Sequence, residues 1–133
     1  MTITRDSTGR LWIAYTAVTY AGGSPVAQVW VNHSLGSDTE WGVPFVPPIA
    51  GTTANYDDVA TIIAFGGNKI GLMWANQNDK KFYFSVHNDG DLDTAWQPTE
   101  IAYGGGVGGC SAGCVNDHLN IKTDSSGRIF AGI

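Results

Sequence analysis

Four polar side chains near the starts of two predicted strands have the chemistry to bind a ligand. They are Asp58, Asp117, His118 and Asn120. Carboxylate, imidazole and amide groups supply the few convergent polar contacts that orient a bound molecule. The alternative is structural: short acidic side chains commonly accept hydrogen bonds from backbone N–H groups of an adjoining loop. On that interpretation Asp58 and Asp117 fix the loops that enter their strands.

Two of the five tryptophans are candidates for stacking on a ligand. Trp41 and Trp96 recur at one repeat position, which suits a structural wedge between repeat units, and Trp74 follows the apolar alternation of its strand, so all three are expected to serve packing. Trp12 and Trp30 are out of that phase and are the candidates to face a groove between repeat units, although packing is the favoured interpretation for these two as well.

The sequence predicts no catalytic residue, no metal site and no cofactor. Asp57 and Asp58 are adjacent at a strand start, but neighbouring side chains in a strand point to opposite faces and do not share a substrate. Cys110, Cys114 and His118 have a spacing that zinc accepts, yet the usual second pair of ligands is missing. Cys110 and Cys114 are instead the disulfide candidate in an oxidising compartment.

Composition limits the class of protein. The chain has 133 residues, 43% hydrophobic and 14% charged, with a net charge of -5. This is enough apolar side chain for one folded domain. Because Lys and Arg are few and scattered, neither nucleic acid nor an anionic membrane is an expected partner. Low charge with abundant Gly, Thr and Trp favours an extracellular or secreted protein, although the compartment stays open.

An internal repeat organises the chain. Leu11, Ile70 and Ile129 lie 59 residues apart, and the segments ITRDSTGRLWI, IIAFGGNKIGL and IKTDSSGRIFA align around them without gaps. Alternating apolar residues in each copy predict strands. A second motif, Asp-Thr-x-Trp, ends at Trp41 and again at Trp96. Each unit is therefore predicted to contain four antiparallel strands.

The predicted protein is all-β. The first strands of the units are placed at 2–6, 58–65 and 117–124, and the second strands at 10–16, 69–76 and 128–133. Third strands are placed at 26–33 and 81–88, and fourth strands near 43–47 and 99–103. The segment TAVTYAGGSP is predicted to be a long loop between the second and third strands of the first unit.

The segments DSTGRLWIAYT and DSSGRIFAGI resemble the hairpins of β-propeller repeats in two-component regulators, and Asp-Thr-x-Trp is similar to sialidase-like repeats. The resemblance implies β-propeller blades of four antiparallel strands: 1–57 as the first blade, 58–116 as the second and 117–133 as a partial third. The sialidase Asp box is not matched, because Gly follows Asp6 and Asp124 one residue late. Sialidase activity is therefore not carried over.

About two and a quarter blades leave blade faces uncovered, whereas known propellers close with about four to eight blades. The chain is therefore expected to be a homo-oligomer that completes its ring by self-association, and three copies would supply about six blades. Some small lectins are similar, which implies a non-catalytic module with a possible glycan ligand. The alternative is a fragment of a sialidase-like or other glycoside-acting propeller enzyme.

Overall fold

The all-β prediction is confirmed by a computed structural model, which describes residues 1–106 and 115–133. Ten strands form: β1 (Thr2–Arg5), β2 (Leu11–Ala21), β3 (Ser24–His33), β4 (Thr53–Ala54), β5 (Ala60–Phe65), β6 (Lys69–Asn76), β7 (Lys81–Asn88), β8 (Glu100–Gly104), β9 (Asn120–Thr123) and β10 (Ile129–Gly132). Within the described residues there is no helix long and apolar enough to cross a membrane.

The strands form two four-stranded sheets and a two-stranded hairpin. The first sheet has the order β1-β2-β3-β4, the second has β5-β6-β7-β8, and β9 pairs with β10. Each pair consists of two strands that are consecutive in sequence and run antiparallel, as the repeat predicts. The division of the chain at 57 and 116 stays a prediction.

The prediction of a long loop between the second and third strands of the first unit was wrong. β2 continues to Ala21 and β3 starts at Ser24, so only Gly22 and Gly23 connect them. Both glycines have positive φ, of 63° and 86°, which two-residue hairpin turns require. The β-favouring Thr, Val and Tyr residues of this segment therefore extend the strands beyond the predicted end.

The predicted fourth strand of the first unit was also misplaced. Within 43–47, Phe45 makes only an isolated bridge to Val31, and the fourth strand is the short β4 farther along. Pro44 and Pro47 flank Phe45, and proline has no N–H to donate to a ladder. The prolines therefore limit pairing here to a single bridge.

The two sheets and the hairpin stack face to face in chain order. In the first sheet, the inner face is the one that meets the second sheet, and the outer face is the opposite one. In the second sheet, the near face is turned toward the first sheet and the far face toward the hairpin. One apolar core joins the inner and near faces, with Trp12, Ala14, Val29, Val31, Ile62, Leu72 and Trp74 among its members. Another joins the far face to the hairpin, including Met73, Phe82, Phe84, Ile121 and Ile129.

The first strands of the three layers lie side by side. β1 contacts β5, and β5 contacts β9. The hydroxyl of Thr2 accepts a hydrogen bond from Ile62 N at 2.8 Å, and that of Thr4 accepts from Ala64 N at 2.9 Å. These hydroxyls satisfy N–H groups at the edge of β5, where none of the described strands pairs with it.

Candidate binding site

The turns after β1 and β9 have the same construction. Asp6 Oδ1 accepts hydrogen bonds from Thr8 N and Arg10 N, both at 2.9 Å. Asp124 Oδ1 likewise accepts from Ser126 N at 2.9 Å and Arg128 N at 3.0 Å. One carboxylate oxygen thus closes each turn on its own backbone, as Asx turns do.

The second oxygen of Asp6 fixes a buried tryptophan. Trp12, which is 1% exposed, donates from Nε1 to Asp6 Oδ2 at 2.9 Å. Burial raises the pKa of Asp6, but the hydrogen bonds from Trp12, Thr8 and Arg10 outweigh it and hold the pKa below its ordinary value. The carboxylate therefore stays charged and anchors the indole in the core between the sheets.

Trp12 lies at the centre of an aromatic cluster contributed by both sheets. Its ring centroid is 4.7 Å from that of His33 and 5.1 Å from that of His87. The Trp96 ring meets that of Trp12 edge-on, with centroids 6.4 Å apart. It is tilted against the His87 ring at a centroid distance of 5.1 Å. His33 pairs with Trp12 across β2 and β3, whereas His87 and Trp96 belong to the second sheet. Packing of these four rings fixes the position of the first sheet against the second where the cluster lies.

His33 and Asp93 join the two sheets by a polar contact. His33 Nε2 lies 2.9 Å from Asp93 Oδ1, and Nδ1 lies 2.9 Å from the carbonyl oxygen of Ser34. The His33 side chain is 8% exposed and that of Asp93 is 49% exposed. Both ring nitrogens are thus engaged, and His33 links Asp93 of the second sheet to the end of β3.

An open cavity of about 520 Å³ lies against this pair. Its polar lining consists of Arg10, His33, Asp91, Asp93 and Thr94, with Leu92 as an apolar neighbour. Arg donates only, carboxylates accept, and a Thr hydroxyl does both. The lining therefore offers both donors and acceptors to a polar ligand, and we treat the cavity as the candidate binding site.

The structure places Asp58 in a structural network. It is 3% exposed, and its Oδ2 accepts hydrogen bonds from Asn55 N at 2.6 Å and Gln77 N at 3.1 Å. These are the backbone hydrogen bonds that the structural interpretation expects at the entrance of a strand. Asp58 therefore ties the loop before β5 to the loop after β6.

Asp117, His118 and Asn120 lie at the entrance of the hairpin. His118 Nδ1 lies 3.0 Å from Asp117 Oδ1, with side chains 82% and 48% exposed. Asn120 is exposed and begins β9. A ligand role for this exposed group stays a prediction. Cys110 and Cys114, the disulfide candidate, lie outside the described residues.

Trp12 and Trp30 point to opposite faces of the first sheet and cannot share a ligand. Trp12 is in the core beneath the inner face, whereas Trp30 pairs with Tyr15 on the outer face. Trp30 Nε1 is buried and has no hydrogen-bond partner among the described residues. Neither indole lines the candidate cavity.

Sequence reasoning missed the pairing of His33 with Asp93. The two residues are 60 positions apart, so no local pattern in the sequence pairs them. The repeated Asp-Thr-x-Trp motif held a signal: in both copies the indole donates to the backbone oxygen of the Asp, for Trp41 at 3.0 Å and for Trp96 at 2.9 Å. That tight turn directs Asp93 toward the neighbouring sheet.

Comparisons of this chain with models of protein families, with curated proteins and with solved structures found no match.

Proposed function

We propose that this chain is a β-propeller segment that associates with further copies of itself through its uncovered sheet faces and acts in binding and not in catalysis. Support comes from the stacking of successive repeats in chain order with their first strands side by side. In propellers the sheets are repeated radially around a central channel in this way. The fold and the self-association are both proposals.

The proposal rests on an equivalence between repeat units. Side chains that are buried on one face of the second sheet recur on the outer face of the first sheet, which no described sheet covers. Strand pairing makes Ile13, Tyr15 and Trp30 on the outer face of the first sheet equivalent to Leu72, Trp74 and Tyr83 on the near face of the second. Leu72 and Trp74 are fully buried by the first sheet. The outer face therefore presents the side chains that, one repeat later, pack against a neighbouring sheet.

The opposite end of the stack carries the complementary equivalence. Phe130 occupies the repeat position of Trp12 and points away from the second sheet. Trp12 is 1% exposed between two sheets, whereas Phe130 is 56% exposed. Outer face and hairpin thus form two different surfaces, and their contact between copies is heterologous. Such a contact repeats until the ring closes.

Sedimentation of face variants tests this proposal. Replacing Trp30 or Phe130 by Ser is expected to weaken self-association by about tenfold or more, because each change removes a large aromatic anchor from the contact. Tyr20→Ser is the control, since Tyr20 is 76% exposed near the tip of the β2–β3 hairpin. Association that is unchanged in Trp30→Ser and Phe130→Ser would contradict the proposal.

A glycan is the ligand class that we propose for the candidate cavity, because Arg10, Asp91 and Asp93 supply donors and acceptors to its lining. A glycan array probed with the whole chain tests it. Any hit should be lost in Asp91→Asn and kept in Asp57→Asn, and an array without hits would refute the glycan assignment. The glycoside-acting alternative predicts turnover of fluorogenic glycosides that is lost in Asp117→Asn, whose side chain is 48% exposed.

A further inference from the structure

The turns after β1 and β9 carry an arginine at the same repeat position, but only one of the two is paired. Arg10 follows β1, and its repeat equivalent Arg128 follows β9. The Nη2 of Arg128 lies 2.7 Å from Asp124 Oδ2, and its Nε donates to the same oxygen at 2.8 Å. The guanidinium of Arg128 is therefore satisfied by the carboxylate of its own turn.

Arg10 lacks the equivalent partner because Trp12 has taken it. The corresponding oxygen, Asp6 Oδ2, accepts the hydrogen bond from Trp12 Nε1 at 2.9 Å, whereas Phe130 at the position of Trp12 has no donor. No carboxylate of the described residues lies within ion-pair distance of Arg10. Arg10 is also partly buried, so water screens its charge less than that of an exposed arginine.

A second unpaired arginine lies at the same turn. Arg5 has the uncharged Ala64 and Thr123 as its repeat equivalents, so this charge is particular to the first unit. Its Nε donates to Gly9 O at 3.4 Å, and its Nη2 lies 3.3 Å from the place that a Cβ on Gly9 would take. The Arg5 guanidinium thus lies over the turn, and it too has no carboxylate partner in the described part of the chain.

Both arginines line one open cavity of about 410 Å³. The rest of its lining contains no carboxylate and consists of Thr8, Gly9, Leu35, Gly36 and Gly90. The cavity adjoins the candidate binding site, because Arg10 and Gly90 line both. Guanidinium groups without an acid partner are the groups with which proteins bind oxyanions.

The number of oxygens and the charge select the class of anion. One guanidinium can bind both oxygens of a carboxylate, so a second guanidinium needs further acceptors. Sulfate and phosphate esters present three terminal oxygens, and a phosphate ester carries about −1.5 to −2 charges at pH 7. Asp91 and Asp93 in the adjoining site and the net charge of -5 disfavour a dianion. A sulfate ester, with a single charge, therefore fits best.

We propose that Arg5 and Arg10 bind a sulfate ester group of a glycan whose hydroxyl groups enter the candidate binding site. The glycan part rests on the ligand class proposed above for that site, whereas the anion part rests on the two arginines alone. Because Arg10 lines both cavities, it is the residue that links recognition of the sulfate to recognition of the sugar.

NMR of the arginine side chains tests the proposal on the whole isotope-labelled chain. Its arginines are Arg5, Arg10 and Arg128, which give three Nε–Hε signals. Glucose 6-sulfate is the probe, titrated at an ionic strength of about 0.15 M, where unspecific attraction is screened. The expected result is saturable shifts of the Arg5 and Arg10 signals and none of the Arg128 signal. Glucose should bind about tenfold more weakly, because it lacks the anion, and glucose 6-phosphate should also bind more weakly than the sulfate.

Three variants locate the sulfate. Arg5→Gln and Arg10→Gln should each weaken binding of glucose 6-sulfate by about tenfold, because each removes charge-assisted hydrogen bonds. Arg128→Gln is the control and should leave the affinity unchanged. No binding, unchanged affinity in Arg5→Gln and Arg10→Gln, or an equal shift of the Arg128 signal would overturn the proposal. Binding of glucose 6-phosphate as tight as that of the sulfate would overturn the sulfate assignment.

Asp91→Asn separates this proposal from the glycan assignment on which it partly rests. If both proposals hold, this variant and the two arginine variants all weaken binding of glucose 6-sulfate. A loss in Asp91→Asn alone would keep the glycan assignment and refute the sulfate site. A loss in the arginine variants alone would refute the glycan part and support the anion site.

Discussion

Replacing Asp6 by Asn tests whether the buried Trp12 is held by a carboxylate. With Oδ1 of the new side chain kept on the turn, its amide nitrogen faces the N–H of Trp12, so two donors meet and the indole loses its acceptor. The contact that is lost is 2.9 Å long and buried. The opposite orientation of the amide would instead break the bonds from Thr8 and Arg10.

The magnitude follows from these contacts. A buried donor without an acceptor costs about 1 to 3 kcal/mol, and replacing a charged acceptor by a neutral one in the turn costs about 1 kcal/mol more. We therefore expect Asp6→Asn to lower the free energy of unfolding by about 2 to 4 kcal/mol, measured by urea denaturation. The fold should be kept, because the turn and both sheets remain packed.

A matched control and a double variant isolate the indole. Asp124→Asn changes the equivalent turn, where the second carboxylate oxygen meets the exposed Arg128 guanidinium at 2.8 Å, and it should lose less stability. Adding Trp12→Phe to Asp6→Asn removes the stranded donor, so the two changes should couple by about 1 kcal/mol or more. Equal losses at the two turns, or strictly additive effects of the two changes, would refute the reasoning.

Three further predictions concern stability. Thr4→Val leaves an edge amide of β5 without its acceptor and should cost about 1 to 2 kcal/mol in urea denaturation, whereas Thr4→Ser should keep most of it. Gly71→Ala would bring a new Cβ to 2.8 Å from Phe84 Cζ and should cost about 1 to 3 kcal/mol, whereas Gly36→Ala, with no atom within 4 Å, should be nearly neutral. The lowered pKa of Asp6 means that its stabilisation is complete above its ordinary pKa of 3.8 and is lost as the pH falls through the folded-state value. Acid titration of unfolding should therefore be flatter in Asp6→Asn, and an unchanged pH profile would contradict this.

The repeat predicted most of the architecture because its signal is local. Apolar alternation around Leu11, Ile70 and Ile129 and the turn after Asp6 depend only on neighbouring residues, and they correctly predicted antiparallel strand pairs. The prediction of the fourth strand of the first sheet was wrong because hydrophobicity alone favours a strand around Phe45, where prolines lie on both sides. Proline removes the ladder bond that hydrophobicity does not report.

The candidate site was harder to predict because it forms between repeats. His33 and Asp93 lie in different sheets, and only the stacking of the sheets brings them together. Comparing the repeat copies position by position also does not reveal two substitutions that compensate for each other. Where the first sheet has Asp6 and Trp12, the second has Phe65 and Gly71, and the Phe65 ring covers the glycine together with that of Phe84. Such compensation becomes visible only when the neighbouring side chains are placed.

Light scattering of the unaltered chain across a range of concentrations tests the central claim most directly. Because the outer face and the hairpin repeat the residues of a buried interface, we predict a mass that rises with concentration to a discrete multiple of 14.1 kDa, such as a trimer. A well-folded chain that stays at 14.1 kDa at every concentration would contradict the account, because both uncovered faces would then be stable in water.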